Sequence, residues 1–271
     1  FSAPVLTGVT ELEFDITATD AAGLSSSDSV LVTVTSGYVA CTPTSPPASL
    51  ALDPFYEKHC DAGGIPVLSS AIVADSAIQL VRFQALEMLK NRPLVAKAMS
   101  QRGTRIAIMA FSEVTTDIPE HSDLYSAFPG IDWDTRARGL GATPDRPASS
   151  AAEENILCYA NDVYAGENIF IHEFAHTIAI MGLQDADPKL DSRLRAAYSA
   201  AIGSGLWSDT YAATNKYEYW AEGVQAWYNA NLERDPPDGV HNSVNTRSEL
   251  AAYDSGLYQL IKEVFPEEDI A

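Results

Sequence analysis

Glu167-Asn-Ile-Phe-Ile-His-Glu-Phe-Ala-His-Thr177 is the stretch whose reading decides the fold. It sets His172, Glu173 and His176 in the spacing H-E-x-x-H, and on a helix the two imidazoles fall one turn apart on one face. Two neutral imidazole nitrogens so placed can grip a zinc ion, while the glutamate between them works on a water at the metal. The spacing therefore predicts a helix carrying two ligands, with a third still to be found. The extended pattern H-E-x-x-H-x-x-G-x-x-H is excluded, because the chain has Ala179 and Gly182 where that pattern requires glycine and histidine.

Working outward, Asn215 suits the N-cap of a helix running through Trp220 and Trp227 to about Asn231. That helix offers Glu218 and Glu222, again one turn apart on one face. A carboxylate from a second helix meeting the histidine pair gives a His₂Glu set with one position left for water, which is what a hydrolytic zinc needs.

Tyr211-Ala-Ala-Thr-Asn-Lys-Tyr-Glu-Tyr-Trp-Ala-Glu222, following His172-Glu-Phe-Ala-His176, resembles the catalytic domain of anthrax toxin lethal factor and its relatives, a family of zinc metallopeptidases. The likeness covers chiefly these two segments; residues 59–70 and 144–158 look closer to secreted bacterial proteins that carry the same signature. The resemblance implies zinc held by His172, His176 and Glu218, Glu173 as general base, and Tyr211 as the phenol that stabilises the oxyanion. Glu222 is then the acceptor for a ligand histidine's free N–H. The implied fold is α+β and zincin-like, a metallopeptidase domain with its active-site helix under a small sheet.

Composition narrows the partners. A chain of 271 residues with 37 Asp+Glu against 17 Lys+Arg has a net charge of -20, so it lacks the basic face that nucleic acid demands. No apolar run is long enough to span a membrane. Oligomeric state is not encoded in these patterns. Of Cys41, Cys60 and Cys158, a Cys60–Cys158 bridge is the expected pairing, with three free thiols as the alternative.

Residues 1–38 have a different texture. Leu12–Thr19 and Ser29–Thr35 alternate apolar and polar residues, with Asp20–Asp28 as the polar turn between them. The run from Phe1-Ser-Ala-Pro4 to these strands resembles the C-terminal part of polycystic-kidney-disease-type immunoglobulin-like repeats of secreted and surface proteins. It implies a partial β-sandwich segment cut from a longer chain, and an extracellular location. Residues 39–49 are a Pro/Ser/Thr-rich linker, and the metallopeptidase domain is expected over 50–271.

Within that domain the pattern predicts helices over Asp75–Lys90, with an N-cap candidate at its start, and from Pro93 through Met99. A buried strand is expected over Arg105–Phe111. A long irregular region, 115–150, carries His121, Trp133, Arg136 and Arg138, and Ile156–Tyr159 reads as a strand. Gly182 is expected to end the His172 helix. Asp191–Ile202 and a single helix over Ser248–Val264 complete the chain. His121 and His241 are candidates for lining the cleft, whereas Phe170, Trp220 and Trp227 read as core.

These features point to a secreted zinc endopeptidase acting on peptide or protein substrates. Alternatives are a zinc exopeptidase or cell-wall peptide amidase, which would use the same ligands, and a non-catalytic extracellular binding or adhesion module with a structural metal.

Overall fold

The structure, a computed structural model, describes residues 10–19, 25–34, 40–268 and Ile270. By its internal contacts the chain divides into two compact units, Phe1–Cys41 and Thr42–Ala271.

In the first unit, β1 (Thr10–Thr19) and β2 (Ser25–Val34) form an antiparallel hairpin with Thr10 opposite Val34 and Thr19 opposite Ser25. The second strand begins four residues earlier than its first apolar residues suggest. Ser25, Ser26, Ser27 and Asp28 continue the ladder, and Ser25 and Ser27 exchange side-chain hydrogen bonds with Thr19 and Thr17 at 2.8 Å. Cross-strand hydroxyl pairs extend the hairpin through residues that read as turn formers. Phe1–Pro4 and Thr35 lie outside the described residues.

The second unit is a mixed α/β arrangement around a small mixed sheet. Its elements in chain order are β3 (Lys58–Asp61), β4 (Pro66–Ser69), α1 (Asp75–Leu89), α2 (Pro93–Gln101), β5 (Arg105–Met109), α3 (Leu124–Ala127), α4 (Trp133–Arg136), β6 (Gly139–Leu140) and β7 (Ala148–Ala152). There follow α5 (Glu153–Ile156), α6 (Ile169–Thr177), a π-helical turn (Ile178–Leu183), α7 (Gln184–Ala186), α8 (Leu190–Gly203), α9 (Lys216–Trp227), α10 (Arg247–Tyr253) and α11 (Ser255–Val264). Strand order is β3-β4-β5-β7-β6, with β4, β5 and β7 parallel and the two outer strands antiparallel.

Helices α1 and α6 pack on the sheet, and α6 also lies against α9. Phe170, Ile171, Phe174 and Ala175 of α6 and Tyr219, Trp220, Val224 and Trp227 of α9 are fully buried. Burial of such side chains contributes roughly 1.5–3 kcal/mol each. Tyr56, Leu68, Ala107, Met109, Ile118, Ala148 and Ala152 form a separate buried cluster, with Leu52 and Phe55 packed against it.

Several expectations are corrected. The strand near residue 156 is instead β7, built from Ala148-Ser-Ser-Ala-Ala152, and α5 follows it directly. Its small side chains lack β-branched bulk, so tertiary pairing between β5 and β6 overrides a weak local preference. Ala74 occupies the N-cap of α1, and Asp75, already inside the helix, forms an ion pair with Lys58 at 2.7 Å. Gly182 does not end the His172 helix; a Cβ there would lie 2.5 Å from Val95 Cγ1, so the glycine permits close packing against α2.

The C-terminal helix is two helices, divided at Asp254. Asp254 Oδ1 caps α11 by accepting from Leu257 N at 3.0 Å, while its Oδ2 accepts from Trp207 Nε1 at 2.9 Å and Tyr219 OH at 2.7 Å. Three buried donors on one carboxylate hold the break.

The cysteine pairing also differs. Cys41 and Cys60 form the disulfide, and Cys158 is free and exposed. Thr44 bridges His59 antiparallel, which carries the segment just after Cys41 alongside β3, whereas Cys158 lies beyond α5. His59 precedes a cysteine whose sulfur is already bonded, so the adjacent His59 and Cys60 do not make a pair of metal ligands.

Candidate metal centre

The His172 helix starts where three side-chain and backbone contacts fix it. Asn168 Oδ1 caps Ile171 N at 3.0 Å, Asn155 Oδ1 accepts from Ile169 N at 2.8 Å, and Asn168 N donates to Ala230 O at 2.9 Å. The second helix starts at Asn215, whose Oδ1 accepts from Tyr217 N and Glu218 N at 2.8 and 3.1 Å. Trp220 Nε1 donates across to Ala175 O at 3.2 Å and ties the two helices together. Both site-bearing helices are thus capped at their N-termini and cross-linked.

Three ligand-type atoms meet between them. His172 Nε2 and His176 Nε2 are 3.1 Å apart, and Glu218 Oε2 is 3.1 Å from each. A tetrahedral ion with bonds of ~2.0 Å spaces its donor atoms by roughly 3.3 Å, so this near-equilateral triangle fits such an ion. His172, His176 and Glu218 are the group that could hold a metal among the described residues.

The protonation of His172 can be followed through its neighbours. Gln225 Nε2 donates to Asn168 O at 3.2 Å and to Glu167 Oε2 at 3.3 Å, both pure acceptors, so its oxygen faces the histidine. That oxygen lies 2.7 Å from His172 Nδ1. Nδ1 must therefore carry a hydrogen, which leaves the Nε2 lone pair for a metal. Glu222, expected in this role, is farther: its Oε1 is 3.5 Å from Nδ1, and its Oε2 accepts from Asn231 Nδ2 at 2.9 Å. Sequence reasoning missed Gln225, although it lies one turn beyond Ala221 and Glu222 on the buried side of the same helix.

Replacing Gln225 by Leu removes that acceptor and frees the ring. Metal affinity is expected to fall about 10- to 100-fold, as loss of an orienting partner usually costs. Competition against a chromophoric chelator measures it, and unchanged affinity would show that Glu222 alone orients the ring.

Glu173 is half-buried on the cleft side of α6, and desolvation raises its carboxyl pKa, with Glu218 adding to the shift and the two imidazoles opposing it. Gly139 and Gly141 allow the sheet edge to come this close. A Cβ at Gly141 would lie 2.7 Å from His176 Cβ, and one at Gly139 would lie 2.7 Å from Ile169 Cγ2 and 3.1 Å from Glu173 Cγ. Nothing larger than glycine fits these two positions without moving α6.

Burial alone would raise the Glu218 carboxyl, but His172 and His176 override it and hold it well below the usual range. Tyr211 stands across from the histidines, its ring stacked on His172 with centroids 6.4 Å apart. Burial and Glu218 push its phenol up to about 12, while Arg136 draws it down. These residues open into a cleft of about 560 Å³, also lined by Trp133, Tyr164, Tyr217 and Val240.

The remaining candidates separate. His121 is buried beside β7, with Nε2 3.3 Å from Ala148 O, and does not line the cleft. His241 lies behind the centre, its Nε2 3.4 Å from Glu167 Oε2; burial opposes its protonation, but Glu167, Glu222 and Asp238 together raise its pKa. The irregular region contributes directly, because Trp133 to Gly141 form one wall. Arg138 holds that wall in place, with Nε and Nη2 on the Glu154 carboxylate at 2.6 and 3.0 Å and further bonds to Glu113 O and Ala110 O.

Comparison with known protein families, curated proteins and solved structures finds no match to this chain.

Proposed function

We propose that this chain is a zinc-dependent endopeptidase of zincin-like architecture. The observation that carries the reading is the meeting of His172, His176 and Glu218 at 3.1 Å spacing in an open cleft, with the half-buried Glu173 carboxylate also lining it. A structural zinc is normally enclosed by four protein ligands, whereas three protein ligands at a cleft suit a hydrolytic site. Zinc bound there supplies a Lewis acid for a peptide carbonyl and for a water.

The protein's own groups account for the rest. Glu173 takes the proton of the attacking water and returns it to the leaving amine, and its raised pKa makes it a stronger base than an exposed glutamate. Tyr211 donates its hydroxyl toward the developing oxyanion; a phenol held near 12 keeps that proton at neutral pH. β6 pairs with β7 on one side only, and its residues line the cleft. A backbone laid along its other side gains main-chain hydrogen bonds without side-chain demands, which suits an extended peptide. The Cys41–Cys60 disulfide fits an oxidising, extracellular setting, and no described helix is long and apolar enough to cross a membrane.

The test is direct. Purified protein is expected to carry one zinc per chain and to hydrolyse casein. A chelator should remove both, and added zinc should restore both. Zinc-replete protein that cleaves nothing in a diverse peptide library would return the reading to a binding module with a structural metal.

A further inference from the structure

Arginine and lysine are scarce in this chain, 17 against 37 acidic residues, and cations near carboxylates are used. Arg102, Arg105, Arg138, Arg146 and Arg193 each engage an Asp or Glu within 3.0 Å. Arg136 lines the cleft and, among the described residues, forms no ion pair.

Its nearest acidic neighbours in sequence are occupied. Asp134 accepts from Thr116 N and Thr116 Oγ1 at 3.0 Å, and Asp132 accepts from Thr135 Oγ1 at 2.8 Å, while Tyr125 OH donates to both. The four cleft glutamates have partners of their own: Glu218 the two histidines, Glu222 Asn231, Glu167 Gln225 and His241, and Glu173 the backbone of Gly141. Two residues on, Arg138 spends its guanidinium on Glu154 inside the wall. One arginine of this pair is structural, and the other presents its charge to the cleft.

Arg136 is exposed yet held. Its guanidinium carbon sits 5.6 Å from the centre of the Trp133 ring, and its backbone oxygen accepts from Tyr164 OH at 3.1 Å. Stacking on an aromatic face restricts the planar fork before any ligand arrives. The guanidinium also faces the Tyr211 hydroxyl, so it stands beside the reacting end of the cleft. A fork of N–H donors without an acidic partner matches a carboxylate in both charge and geometry.

We propose that Arg136 is a specificity-determining residue that binds a carboxylate of the substrate peptide, from an acidic side chain near the scissile bond or from a free C-terminus. This assignment rests on the peptidase reading above. It also gives an acidic protein a way to accept an acidic ligand beside cleft glutamates that repel one.

The experiment compares zinc-loaded wild type with Arg136→Met on three forms of each peptide: neutral with an amidated C-terminus, the same carrying one Glu near the cleavage point, and the neutral peptide with a free C-terminus. Binding by calorimetry and kcat/KM are both read. Wild type is expected to favour a carboxylate-bearing form by about tenfold or more, and Arg136→Met to reduce that ratio to within about twofold. The ratio is the readout, because a uniform effect transmitted through Tyr211 cancels from it. Which of the two forms loses its advantage identifies the source of the carboxylate.

Arg136→Glu is the second variant, expected to reverse the preference toward a Lys-bearing peptide. No carboxylate preference in wild type, or equal losses on all three forms, overturns the assignment. If wild type cuts none of the peptides, the peptidase reading fails and the binding ratios alone decide on Arg136: a preference that Arg136→Met abolishes upholds it, and its absence overturns it.

Discussion

Peptide hydrolysis is expected to fall about 10²- to 10⁴-fold in Glu173→Gln, with the metal retained. The substitution keeps the shape of the side chain and an acceptor oxygen for the backbone of Gly141, which lies against this carboxylate. What it removes is a base. None of the three converging atoms belongs to Glu173, so zinc content measured by mass spectrometry should match wild type. The tight fit of Gly139 and Gly141 around this side chain makes an isosteric change the appropriate one, since a larger or smaller residue would confound packing with chemistry. Turnover equal to wild type in a fully zinc-loaded variant would remove Glu173 from the mechanism.

Glu218→Ala is expected to act on the metal itself. Removing one of three ligands should cost more than the roughly 100-fold upper range for losing an orienting partner, so zinc is lost to modest concentrations of a competing chelator. A second effect appears in metal-free protein. Burial disfavours the charged form of His172, yet Glu218, Glu173 and Glu222 together raise its pKa from 6.5 to about 10. A raised folded pKa contributes stability that is complete below the unfolded value and lost as pH rises through the folded one. The depressed Glu218 carboxyl contributes above its unfolded value of 4.5 and loses that contribution as pH falls. Metal-free wild type should therefore melt above metal-free Glu218→Ala, with the gap fullest between about pH 4.5 and about pH 6.5, closing as pH rises toward about 10 and as pH falls well below 4.5. Equal melting across that window, together with unchanged zinc affinity, would take Glu218 out of the site.

Much of the centre could be read before the fold because it depends on local geometry. His172 and His176 are four apart on one helix, Glu218 and Glu222 are four apart on another, and an Asn N-cap marks where the second helix starts. What could not be read depends on packing between distant segments. β7 is made of alanines and serines whose strand identity comes from their neighbours. Asp254 divides a continuous amphipathic pattern because two buried aromatic donors, Trp207 and Tyr219, need its carboxylate. Gln225 is invisible to any metal motif, since its part is to hold another residue's proton. The cysteine pairing followed from a bridge at Thr44 and His59 that no local pattern announces.

The π-helical turn over Ile178–Leu183 begins immediately after the residue that follows His176. Such a turn holds one residue more than α-helical winding would, and so rotates everything beyond it. It acts as a phase adjuster: upstream, the helical phase is set by the two histidines, and downstream it is set by Gly182 against α2. The two demands need not share one periodicity. A single-residue deletion within 178–183 is therefore the length change this helix is best built to absorb, by reverting to α-helical winding and re-aiming the α2 contact while leaving His172 and His176 where they are.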